Sequence, residues 1–270
     1  MNVQSLHTFV MTQFTDMAPA IDEVFLRAQT RTGQGRKTNI KTFVEQLRKV
    51  LKPHRTTVSA KVEREFCGAG PSLQWYPLMS AFCYEPSASL KRDARIEIII
   101  GIDPLSRRFD FSSQSWEFFR YRFHKTLLHE LVHRAQFASG RHAHSGLVFR
   151  PHNHALMDKY HLVEQRYLGE IDEVEAYAHD CVEEWYCLYP NQPLTMKAFR
   201  ENFRGPRQLP SLSYYHDVFH GDEHHPAIQR LFRKVKAWNE VMTPLVQLLP
   251  SFRPMIPDPL RFKGRGFVLG

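Results

Sequence analysis

Between Trp116 and Ala135 the apolar residues Trp116, Phe119, Phe123, Leu127, Leu131 and Ala135 recur at spacings of three and four, the period of an amphipathic α-helix. Asp110, Ser112 and Ser113 offer capping side chains ahead of this stretch and Gly140 stands past its end, so the pattern predicts a helix of about seven turns between them. Inside it lies His129-Glu130-Leu131-Val132-His133. Residues four apart on a helix stand one turn above each other, so both imidazoles can reach one cation. At about 100° per residue Leu131 lies about 200° around from each histidine, which predicts that the helix packs through one face and presents the histidines on the other. Glu130 flanks the pair, where a carboxylate can bond a metal's water without taking a ligand position.

Imidazole and carboxylate donors with one open position suit Zn2+, without being exclusive to it. Zinc lowers the pKa of bound water to about 7, and a neighbouring carboxylate can accept the proton as a carbonyl is attacked. Glu130 is the candidate for that role. The bland reading is a histidine-rich helix whose His129 and His133 are solvated or satisfied in a core.

Such sites take three protein ligands. The segment from Tyr167 to Asp180 opens an acidic helix and contains Glu173, Glu175, Ala176 and Ala178. Here the chain resembles the gluzincin-like metallopeptidases of the zincin class, whose H-E-x-x-H helix is completed by a glutamate within E-x-x-A or E-x-E-A-x-A on the next helix. The resemblance implies Glu173 as third ligand, with Glu175 the second choice, and the two alanines small enough to let helices approach. His179 and Asp180 would orient a ligand imidazole. A competing donor is His144: SprT-like and Spartan-like proteases complete the motif with a downstream histidine before a small residue and an aromatic, and His144-Ser145 with Phe149 is similar. The resemblance covers residues 90–180. It implies an α+β, zincin-like fold, with a small mixed sheet packed on the H-E-x-x-H helix and further helices at both ends, and a zinc metallopeptidase acting on a protein or peptide.

The pattern elsewhere agrees with that class. Apolar periodicity predicts helices from Val3 to Ala28 and from Ile40 to Leu51, joined by the basic, glycine-containing TRTGQGRKTN. Residues 56–65 and 73–84 read as extended, and 94–102 (ARIEIIIGI) is the clearest strand, rich in β-branched residues. Further helices are expected at about 151–166, 172–188, 195–204 and 226–247. The predicted organisation is a basic helical region over residues 1–55, a metallopeptidase domain over 56–250 and a Pro-rich basic tail over 251–270. The cluster YYHDVFHGDEHH, with His216, His220, His224 and His225, reads as a polar inter-helix loop. Its alternative use, through Tyr214, Tyr215 or a histidine, is to stabilise an oxyanion.

The net charge of +8 is uneven: from Arg27 to Arg55 nine Lys or Arg accompany one acid, Glu45, whereas Tyr167 to Tyr189 carries seven acids and no Lys or Arg. The basic segment 27–55 is either a solvated helical surface or a site for nucleic acid or an acidic partner. Two rivals to a general peptidase follow: a DNA-associated protease of the SprT or Spartan type, and a non-catalytic zinc-stabilised binding or virion structural protein. No P-loop, G-x-S-x-G elbow or dinucleotide fingerprint occurs, so those hydrolase and oxidoreductase classes lack their carrying residues. Cys67, Cys83, Cys181 and Cys187 form no C-x-x-C pair and read as reduced, mostly buried thiols. With no secretory pattern at the N-terminus and no apolar run of the roughly 18 residues a membrane span needs, the expected location is cytoplasmic, without membrane association.

Overall fold

The computed structural model describes residues 2–33, 39–62, 78–83, 95–102, 114–140, 157–205 and 209–246. The chain divides into two compact units, residues 8–140, and residues 141–269 together with the first seven.

In the unit of residues 8–140, helix α1 (Val3–Gly33) supplies most of its length and runs past the expected end at Ala28. Between Ala28 and Gly33 the sequence has neither Gly nor Pro. Helix α2 (Ile40–Leu51) begins at Asn39, whose side chain accepts from the Lys41 N–H at 2.9 Å; that capping contact sets the boundary the sequence predicts. Strands β1 (Thr56–Val62), β2 (Leu78–Cys83) and β3 (Arg95–Ile102) form one mixed sheet in the order β1-β3-β2. Strand β3 is central, parallel to β1 with Val58 opposite Ile98, and antiparallel to β2 with Ser80 opposite Ile98. Ile96, Ile98 and Ile100 are fully buried while Glu97 and Ile99 are half-buried, the period-2 alternation of a strand with one core face.

Helix α2 packs on β1, and helix α3 (Gln114–Ala138) packs on β2 and β3. The core between the helices is aromatic: Phe25 meets Phe43 edge-on at 5.1 Å and Phe123 at 5.7 Å between ring centroids. Side chains of α1, α2 and α3 therefore share one core. Asp22 fastens α1 to α3, accepting from Arg120 Nε and sharing a 2.8 Å hydrogen bond with His124 Nε2. Burial pushes the Asp22 carboxyl upward, but the bonds from His124 and Arg120 outweigh it and hold Asp22 below the usual carboxylate range.

The other unit is helical among its described residues: α4 (Met157–Gly169), α5 (Ile171–Leu188), α6 (Met196–Arg204), α7 (Pro210–Val218) and α8 (Pro226–Val246). Helix α5 packs along α8, and Glu184 of α5 accepts the backbone N–H and hydroxyl of Ser211 at the start of α7. Helix α7 corrects the expected polar loop, since Tyr214, Tyr215 and His216 are helical. Its buried Leu212, Tyr215, Val218 and Phe219 follow helical spacing. The helix stops at a left-handed turn where Gly221 has φ of 70°, and a Cβ there would lie 2.8 Å from His216 Nε2. Only past Val218 does the segment run as a loop, and there His225 Nδ1 accepts from the Ala227 N–H and starts α8. Taken together the described residues are mostly helical with one small sheet, an α+β arrangement. None of the helices among them is long and apolar enough to cross a membrane.

Candidate metal centre

The middle of α3 carries the H-E-x-x-H residues. From Leu127 to Gln136 every side chain is buried, so the expectation of one packed face and one open face fails over this stretch. Polar residues are tolerated there because they have partners. Arg134 donates to Gln13 Oε1 and to the His54 carbonyl, each at 2.9 Å, and to the Arg55 carbonyl at 3.0 Å. Burial, helped by the charge of Arg55 and opposed by Glu130, draws the Arg134 guanidinium down to about 10. One cation thus ties α1, the turn before β1 and α3 into a frame for the histidines.

His129 and His133 stand one turn apart, their Nε2 atoms 3.2 Å from each other and both residues buried. Two nitrogens bound to one tetrahedral zinc at about 2.0–2.1 Å lie about 3.3 Å apart, so the observed separation matches that of a shared ion. His133 Nδ1 lies 2.9 Å from Gln136 Oε1. With Nδ1–H donating to that amide oxygen, the Nε2 lone pair is left for a metal. Glu130, between the two histidines in sequence, is 4% exposed, and its Oε2 has no hydrogen-bond partner among the described residues. A buried carboxylate oxygen without a donor is costly unless something else satisfies it. The residues therefore fit a bound divalent cation with its water.

On α5, Glu173 is half-buried among aromatic hydroxyls. Burial first, with Glu173 among the further causes, pushes Tyr177, Tyr214 and Tyr215 upward, keeping all three phenols protonated. Glu175 faces α8, where its carboxylate accepts from Trp238 Nε1 at 3.1 Å and pairs with Lys234 Nζ. That carboxylate already has two donors. His144 lies outside the described residues. The candidate oxyanion groups are engaged elsewhere: Tyr214 donates to Glu164, and the fully buried Tyr215 donates to the Leu168 carbonyl at 2.8 Å.

Histidine and carboxylate groups able to hold a metal ion are present among the described residues: buried His129 and His133 on α3, and on α5 buried His179 and Asp180 with half-buried Glu183. Sequence reasoning passed over Gln136 and Arg134. The signal for Gln136 was its place three residues after His133, on the same helical face; nothing local marks Arg134, whose partners are 79 to 121 positions away in the chain. Compared with protein-family models, curated proteins and solved structures, the chain matches none.

Proposed function

We propose that this protein is a zinc-dependent peptide hydrolase in which His129, His133 and Glu173 hold the metal and Glu130 is the general base. The observation that carries the reading is the pair of buried imidazoles with Nε2 atoms 3.2 Å apart beside a buried carboxylate oxygen without a donor. Glu173 is preferred as third ligand because the resemblance to the gluzincin-like peptidases implies it, whereas Glu175 is taken up by Lys234 and Trp238.

Zinc held there supplies Lewis acidity, bringing the pKa of water to about 7. Glu130 takes a proton from the attacking water as the water oxygen bonds to the peptide carbonyl carbon. The same carboxyl then returns the proton to the leaving nitrogen as the C–N bond breaks. Gln136 fixes the tautomer and orientation of His133 through this step. An extended substrate would pair its main chain with an edge of the mixed sheet.

The test joins metal content to proteolysis. Glu130→Gln should retain zinc at this site and lose proteolysis by a factor of about 10² to 10⁴, while His129→Ala should lose proteolysis together with the zinc equivalent held by the two histidines. A Glu130→Gln protein as active as the wild type, or a His129→Ala/His133→Ala protein binding as much zinc with undiminished proteolysis, would refute the proposal. Wild-type protein that holds zinc yet cleaves no peptide library would favour a structural role for the metal.

A further inference from the structure

Helix α5 carries a second convergence of donors that the peptidase reading does not use. One ligand atom each of His179, Asp180 and Glu183 lies within 4.8 Å of the others. His179 and Glu183 are one turn apart, so their side chains stack along the helix, and Asp180 is the immediate neighbour of His179. His179 is 1% exposed and Asp180 3%. Their nearest mutual approach, Nδ1 to Oδ1, is 3.8 Å, longer than a hydrogen bond. No direct hydrogen bond joins the pair.

An independent observation comes from the first turns of the chain. His7 is 3% exposed, and neither of its ring nitrogens has a hydrogen-bond partner among the described residues. It lies beside His179: both rings meet the indole of Trp238 edge-on, at 6.0 Å for His7 and 4.9 Å for His179. A buried imidazole with two unmet nitrogens is costly. Both ring nitrogens of His179 are likewise without a hydrogen-bond partner among the described residues, and an ion at the three donors would satisfy one of them and offset the charge of buried Asp180 and half-buried Glu183.

We propose that His179, Asp180 and Glu183 form a second metal site for a divalent first-row transition ion. The mixed nitrogen and oxygen donors select this class over Mg2+ or Ca2+, which prefer oxygen alone. Asp180 and Glu173 are seven residues apart on α5, which at about 1.5 Å per residue separates them by about 10 Å along the axis. The second site is thus distinct from the one completed by Glu173. Burial of His179 and Asp180 suits a structural ion held on α5 beside Trp238.

The experiment uses the full chain carrying His129→Ala and His133→Ala, so that its outcome is separate from that of the peptidase reading. After chelation and dialysis the protein is titrated with zinc chloride and, in parallel, manganese(II) chloride, and bound metal is counted by mass spectrometry of the elements. One equivalent should remain tightly bound. Adding Asp180→Asn, which preserves shape, should weaken it by roughly tenfold or more, and His179→Gln should do the same with the helical circular dichroism retained. Absence of the equivalent in the histidine double variant with its fold intact would overturn the proposal. So would an affinity unchanged by both Asp180→Asn and His179→Gln.

Discussion

At His133 one side chain serves two purposes, and the atoms divide them: Nε2 faces His129 while Nδ1 meets Gln136 Oε1. Removing the amide leaves the imidazole in place but frees its tautomer and rotation. Gln136→Leu should therefore weaken zinc binding by about 10- to 100-fold with little change in fold. Competition with a chromophoric chelator measures it, and an affinity equal to that of the wild type would show that Gln136 only packs. Glu130 is the contrasting case, a residue on the same helix that the proposal assigns to proton transfer rather than to holding the metal. Variants at 130 and 136 should separate accordingly, one losing turnover at full metal loading and the other losing metal.

Helix α3 is positioned by polar fasteners as well as by its aromatic core. Asp22 binds α1 to α3 through Arg120 and His124, and its carboxyl is held below the usual range. A carboxylate with a depressed folded-state pKa contributes stability above its unfolded pKa of about 3.9, and that contribution is lost as pH falls through the lower folded value. Asp22→Asn should thus be less stable than the wild type at pH 6, and the gap should narrow as pH drops below about 4. Denaturant unfolding at a series of pH values checks this; a gap that widens on acidification would contradict the assigned sign. Helix α7 teaches a different lesson about elements. Its buried stripe is built from Leu212, Tyr215, Val218 and Phe219, but neighbouring tyrosines, histidines and an aspartate give the segment the composition of a loop.

For the molecule as a whole, a metal that binds the folded chain and not the unfolded one raises stability by mass action. Free zinc at about 1,000 times its dissociation constant adds about 4 kcal/mol, which for a chain of this size lowers Tm by roughly 10 °C when removed. Chelation should produce that fall in the wild type and also in Glu130→Gln, which keeps its ligands, and zinc should restore it. Insensitivity of Tm to chelation, measured by calorimetry, would argue against a tightly held ion.

Much of the local structure was legible from residues near one another in the chain. The bounds of α2 and β3, the course of α3 and the i, i+4 placement of His129 and His133 follow from periodicity and capping, which are properties of a few consecutive residues. The roles of distant residues were not. That Arg134 grips carbonyls 79 and 80 positions away, that Glu175 turns to Lys234 and Trp238 on α8, and that the histidine-bearing stretch of α3 is buried all round depend on which segments fold against each other. Burial and hydrogen-bond pairing are set by that packing, and no short stretch of sequence contains it.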